Sequence, residues 1–156
     1  MICHIEVITE QRLEGFISIC RELWSQGAQV HLEFNDDVAR QLGMRFINDP
    51  TYFCQLAVED DRVVGVMGGY VTKLIFSHDV IGNEEGLYVR NSVQGKAGIA
   101  AEMLRRFVRF CRDAGAVDVR TGVISSIDNY AADVFYRRNG FKRIGTIYAL
   151  RNTGVE

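Results

Sequence analysis

Hydrophobic and polar positions along the chain repeat with two periods, and the period predicts the type of each element. Alternation with a period of two predicts strands at residues 2–8, 52–59, 62–76, 82–89, 117–124 and 141–150. Apolar residues spaced three and four apart predict helices at residues 11–26, 36–46, 97–114 and 128–139. Asp60-Asp61 separates two of the strands by a tight polar turn, which favours an antiparallel hairpin.

Several segment ends carry residues typical of helix caps. Thr9 and Asn35 precede predicted helices, Asp128 begins one, and all three are suitable N-caps. Gly27, Gly115 and Gly140 come at the ends of predicted helices, where glycine is common. The boundaries are therefore marked independently of the periodicity.

The most informative stretch runs from residue 84 to residue 104. A strand ending at Tyr88-Val89 leads into a polar turn, and the small-residue run Gln94-Gly95-Lys96-Ala97-Gly98 then opens a helix. The first amides of a helix lack intrahelical partners and carry partial positive charge, so bare amides here can bind a pyrophosphate. Small residues also relax tight turns in folds that bind nothing, and the spacing is neither a Rossmann fingerprint nor a P-loop.

This stretch resembles the phosphate-binding motif of the GCN5-related N-acetyltransferases (GNAT), Gln/Arg-x-x-Gly-x-Gly/Ala after a strand. Gln94 opens the loop, but Gly98 and Ala100 come one residue later than the motif asks. Either the loop is one residue longer, or Gly95 stands where the family has Gln or Arg.

A second resemblance lies about thirty residues downstream. The family's signature Asn-x-x-Ala-x-x-x-Tyr-x-x-x-Gly-Phe is matched position for position by Asn129, Ala132, Tyr136, Gly140 and Phe141. Two motifs in the family's order make a chance match improbable.

The resemblance implies a fold and a co-substrate. It implies an α/β (α+β) fold of order βααβββαβαβ, with a mixed, mostly antiparallel sheet whose central strands splay to admit acetyl-coenzyme A (acetyl-CoA). It also implies that the following residues bind acetyl-CoA: Tyr88, Val89, Gln94, Gly95, Lys96, Ala97, Gly98, Ile99, Ala100, Asn129 and Tyr136.

The same resemblance implies chemical roles. The Val89 amide would polarise the thioester carbonyl, and the Tyr136 hydroxyl would protonate the leaving thiolate. The base is chosen by strand alternation, which places Glu85 on the face of Val89 and Glu84 on the opposite face. Glu85 is therefore the candidate base, although the family often has its carboxylate at the position of Asn83.

Composition limits the remaining possibilities. A chain of 156 residues with 47% apolar content and one Pro predicts one domain over residues 1–156. A net charge of −2 argues against a nucleic-acid binder. The first ten residues are acidic and alternate between apolar and polar, unlike a signal peptide, and no apolar run is long enough to span a bilayer. The four cysteines show no paired spacing, which favours reduced thiols. We therefore expect a cytoplasmic protein.

The histidines lack ligand spacing, so we expect no metal. The sequence thus favours an acetyl-CoA dependent N-acetyltransferase that acts on a primary amine by direct transfer. The acceptor is a small amine or a protein amine, and a homodimer is compatible with the sequence. A module that binds coenzyme A or acyl-CoA without catalysis is the alternative.

Overall fold

The computed structural model describes residues 3–122 and 129–150. In chain order it contains β1 His4–Val7, a 3₁₀ turn Glu10–Arg12, α1 Leu13–Gln26, α2 Asp36–Asn48, β2 Tyr52–Glu59, β3 Arg62–Lys73, β4 Val80–Val89, α3 Lys96–Asp113, β5 Ala116–Arg120 and α4 Asn129–Arg138. No helix within these ranges is long and apolar enough to cross a bilayer.

The described strands form one five-stranded sheet in the order β1-β2-β3-β4-β5. The first three pairings are antiparallel, and only β4 and β5 run parallel. A parallel pair requires a crossover, and α3 provides it. The mixed, mostly antiparallel sheet predicted from the sequence is therefore confirmed.

Each face of the sheet has its own hydrophobic core. One core contains buried residues of α1 and α2, including Phe16 and Phe46. The other contains buried residues of α3, including Phe107, with side chains of α4 packed against it. At Gly68-Gly69 of β3 both layers come close: a Cβ on Gly68 would lie 2.6 Å from the Phe46 ring, and one on Gly69 would lie 2.5 Å from the Phe107 ring. Glycine is required here because helices approach from both sides.

Local chemistry explains several element boundaries. Asn35 caps α2 by accepting hydrogen bonds from the amides of Asp37 and Val38 at 3.0 and 3.1 Å. Asp60 and Asp61 both have positive φ, 48° and 64°, as a two-residue type I′ hairpin turn demands. Thr9, by contrast, precedes the 3₁₀ turn and makes no side-chain cap bond.

One predicted element is wrong. Residues 141–150 form no strand, and every residue from 142 to 150 is exposed. Ile144, Ile147 and Tyr148 have strand propensity but remain 76–91% exposed because no neighbouring strand in the described sheet pairs with this segment. Ile2, the end of the predicted strand at residues 123–124 and the cap Asp128 lie outside the described residues.

Candidate active site

A β-bulge in β4 decides which acidic side chain faces the candidate site. Gly68 pairs with Gly86 and Gly69 pairs with Glu84, so Glu85 has no partner in the register. An extra residue in one strand reverses the alternation of side chains beyond it. A comparison of the β4 residues that face α3 before and after the bulge shows this reversal.

Before the bulge an even-numbered position faces α3, because a Cβ on Gly82 would lie 2.3 Å from the Cys111 sulfur. After the bulge the odd-numbered Leu87 and Val89 pack in the core that contains α3. The alternation that placed Glu84 opposite Val89 is therefore wrong. It is Glu84 that reaches α4, whereas Glu85 is exposed.

Glu84 and Tyr136 form a hydrogen-bonded pair. The Tyr136 hydroxyl donates to Glu84 Oε2 at 2.7 Å. Loss of water around the half-buried carboxyl raises the pKa of Glu84 to about 7, although the hydrogen bond from Tyr136 opposes this rise. Burial, reinforced by the neighbouring Glu84 charge, raises the pKa of Tyr136 well above its ordinary value. The pair can therefore hold and pass a proton near neutral pH.

Two aromatic contacts hold Tyr136 in place. Its ring makes edge contacts with Phe135 and Phe141, with centroids 5.3 and 5.8 Å apart. Phe141 is reached by a turn at Gly140, which has φ of 88°. The Gly-Phe end of the second signature thus supports the tyrosine from the end of its own helix.

The loop between β4 and α3 presents unpaired amides. Gly95 is the N-cap of α3 in the left-handed conformation, with φ of 72°. Its carbonyl accepts from the amides of Gly98 and Ile99. The amides of Gln94, Gly95 and Ala97 donate to no acceptor in the part of the chain that the structure describes.

The space over this loop is open. A Cβ on Gly95 or Gly98 would meet no atom within 4 Å. The Lys96 ammonium donates to the Asn91 side chain at the edge of the loop. Open space, free amides, the positive end of a helix dipole and a nearby lysine fit a pyrophosphate.

The other candidate residues lie in different surroundings. Ile99 and Ala100 are half-buried against the core on the α3 side, and Val89 is buried there. Tyr88 points to the opposite face, where its hydroxyl donates to Glu22 of α1 at 2.7 Å. Asn129 begins α4, but its side chain lies outside what the structure describes.

Sequence reasoning missed Glu22 and Arg90. The Arg90 guanidinium pairs with the Glu22 carboxylate at 2.7 Å, across 68 positions of the chain. Nothing in the local sequence links residues so far apart. Glu84 could have been found only from the neighbouring glycines of β3, since paired glycines inside a strand indicate a bulge or a close approach.

The described residues contain no group of three or more His, Cys, Asp or Glu side chains that could hold a metal ion.

Comparison with known proteins gives a family match. The family model described as an acetyltransferase (GNAT) domain matches residues 50–143. No curated protein matches the chain.

Solved structures share the fold at low sequence identity. The aminoglycoside acetyltransferase AAC(6')-Iy, in complex with a CoA-containing bisubstrate analogue, has a TM-score of 0.76 at 15% identity over 97% of this chain and 99% of its own. Glucosamine-6-phosphate N-acetyltransferase from Arabidopsis thaliana has a TM-score of 0.75 at 14% identity, over 97% of this chain and 99% of its own. A predicted acetyltransferase from Clostridium acetobutylicum, solved with acetyl-CoA, has a TM-score of 0.74 at 15% identity over 96% of each chain.

Proposed function

The chain belongs to the GNAT acetyltransferase family, and on that premise we propose that it transfers an acetyl group from acetyl-CoA to a primary amine by direct transfer. Acetyl-CoA would supply the activated acetyl thioester. The observation that carries the proposal is the 2.7 Å hydrogen bond from Tyr136 to Glu84, a carboxyl whose pKa is raised to about 7.

The loop after β4 would hold the pyrophosphate. The unpaired amides of Gln94, Gly95 and Ala97 and the open space at Gly98 support this placement. The amide at the buried end of β4, near Val89, would polarise the acetyl carbonyl, as the family resemblance implies.

Glu84 and Tyr136 would move the proton. An amine arrives as an ammonium and must lose a proton before it attacks, and a carboxylate with a pKa of about 7 accepts a proton near neutral pH. Tyr136 would give its proton to the departing sulfur and regain one from Glu84, to which it is hydrogen-bonded. Glu84 thereby replaces Glu85 as the candidate base, because Glu85 is exposed and Tyr136 donates to Glu84 instead.

The acceptor would be a cationic amine. Glu84 is the acidic side chain beside Tyr136, and a carboxylate at a site raises the local concentration of ammonium groups. Two structural neighbours are an aminoglycoside acetyltransferase and a glucosamine-6-phosphate N-acetyltransferase. Aminoglycosides and amino sugars therefore belong in the first set of amines to test, together with peptides.

Release of free thiol from acetyl-CoA in the presence of these amines tests the proposal. We expect Tyr136→Phe to keep acetyl-CoA binding and to lower kcat by roughly 100-fold, the low end for general acids. Glu84→Gln should lower the rate most near neutral pH, whereas Glu85→Gln is the matched control and should leave the rate unchanged.

Binding of acetyl-CoA without thiol release for any amine would favour a non-catalytic CoA-binding module instead. An unchanged kcat for Tyr136→Phe would remove the tyrosine from the mechanism. A rate lost in Glu85→Gln and kept in Glu84→Gln would restore Glu85 as the base.

A further inference from the structure

A second polar network lies on the other face of β4, where the strand ends. Glu22 of α1 accepts hydrogen bonds on both carboxylate oxygens: from the Tyr88 hydroxyl at 2.7 Å and from Arg90 Nε at 2.8 Å. Gln26, one turn further along α1, donates to the same Tyr88 hydroxyl at 3.1 Å. Neither Glu22 nor Arg90 takes part in the proton transfer proposed above.

The network restricts the positions of the Glu22 and Arg90 side chains more than it stabilises the fold. The Glu22 and Arg90 side chains are 29% and 31% exposed, and ion pairs that water reaches contribute little to the free energy of unfolding. Both carboxylate oxygens nevertheless have donors from different residues, which leaves Glu22 little freedom to turn. The hydrogen bond from Arg90 holds the pKa of Glu22 below its ordinary value, so the carboxylate stays charged at neutral pH.

Backbone hydrogen bonds lead from Arg90 to the helix start. The Arg90 amide donates to the Val64 carbonyl at 2.9 Å, which ties the residue to β3. The Arg90 carbonyl accepts from Val93 at 3.2 Å, and the Val93 carbonyl accepts from Lys96 at 3.3 Å. These hydrogen bonds connect the loop, through Val93, to the backbone of Arg90. A shift of Arg90 would therefore also shift the unpaired amides that follow it in the loop.

We propose that Glu22 is a positioning residue for the pyrophosphate loop. It acts through Arg90 and Tyr88, from the face of the sheet opposite to α3, and touches neither the thioester nor the amine. Misplacement of binding groups by about 1 Å is enough to lower a rate strongly. This inference rests on the proposed function, since it concerns how the same acetyl-CoA site is held in shape.

Glu22→Gln tests the inference, because it keeps the size of the side chain and removes its charge. S-acetylpantetheine carries the thioester but has no pyrophosphate, so the loop discriminates between it and acetyl-CoA. We expect kcat/KM for acetyl-CoA to fall about tenfold, mainly through KM, with little change for S-acetylpantetheine. The dissociation constants of CoA and pantetheine, measured by calorimetry without any acceptor, should show the same selective loss.

A double-mutant cycle adds a second measurement. Arg90→Gln should reproduce the effect, and Glu22→Gln combined with Arg90→Gln should be no worse than either alone, because residues of one network are not additive. Glu14→Gln is the control: it breaks another ion pair of α1, with Arg40 at 2.5 Å, far from the loop in sequence and on an exposed surface. This control should retain the wild-type preference for acetyl-CoA.

Three results would overturn the inference. An equal loss for both thioesters would indicate a general loosening of the fold, and a change confined to the KM of the amine would place Glu22 in the acceptor site. Additive effects in the cycle would show that Glu22 and Arg90 act separately. A wild-type protein that binds CoA no better than pantetheine would instead count against the proposed function itself.

Discussion

The raised pKa of Glu84 makes the stability of the protein depend on pH in an unusual direction. A carboxyl whose pKa is higher in the folded state than in the unfolded state binds more protons when folded. Its contribution to stability is therefore present below the unfolded pKa and is lost as the pH rises through the folded pKa. For Glu84 this window runs from 4.5 to about 7.

The size of the effect follows from the two pKa values. A tenfold change in proton binding corresponds to about 1.4 kcal/mol, so the rise from 4.5 to about 7 sets an upper limit of about 3 kcal/mol. Since water still reaches part of the side chain, we expect about 1–3 kcal/mol. Glu84→Gln, which cannot ionise, should thus gain that amount relative to wild type between pH 5 and pH 8.

Urea denaturation at several pH values measures this difference directly. Carboxyls with lowered pKa values, such as Glu22 and Glu102, change their charge below this window and are common to both proteins. Glu85→Gln removes an exposed carboxyl from the adjacent position and should run parallel to wild type. If the Glu84→Gln and wild-type curves are also parallel from pH 5 to pH 8, Glu84 is not held in a water-poor site and the argument for it as the base fails.

Three further predictions concern glycines. Gly98→Glu should fold normally, because a Cβ there meets no atom within 4 Å. It should abolish the rise in Tm that we expect acetyl-CoA to cause in wild type, since the new carboxylate would occupy the proposed phosphate position. Gly95→Ala should destabilise the folded protein by about 1 kcal/mol, because the backbone φ at this position is 72°. Gly98→Ala lies inside the helix and should stabilise the protein by up to about 1 kcal/mol. The urea midpoints of the two variants measure both effects. Gly69→Ala should destabilise the protein by about 2 kcal/mol or more, since the new Cβ would lie 2.5 Å from the Phe107 ring. In Gly86→Ala the new Cβ would lie 3.5 Å from its nearest neighbour, so the free energy of unfolding should change by less than about 0.5 kcal/mol.

The helices could be predicted closely because their signals are local. The helix predicted at residues 97–114 is found at Lys96–Asp113, since its apolar stripe and the glycine after it lie within one stretch of sequence. The two-residue turn at Asp60-Asp61 was recognisable for the same reason. The family motifs also pointed to Tyr136 and the small-residue loop as candidates without any knowledge of strand pairing.

The candidate base Glu84 could not be predicted because the orientation of its side chain depends on another strand. Side chains alternate between the faces of β4 only where the strand pairing is regular. The bulge arises where Gly68 and Gly69 of β3 pair with Gly86 and Glu84. Residues 141–150 illustrate the same limit. Their sequence favours a strand, but a strand forms only where a neighbour accepts its hydrogen bonds.

The cysteines bear on how the protein would respond to electrophiles. Burial raises the pKa of Cys20 to about 12 and that of Cys111 to about 11, and it raises that of Cys54 well above its ordinary value, so these thiols carry almost no thiolate near neutral pH. Half-exposed Cys3 also has a raised pKa. Alkylating agents and disulfide reagents attack the thiolate form. The protein should therefore consume such reagents slowly, so chromogenic disulfides will report the thiol that a reaction sets free with little background from the polypeptide.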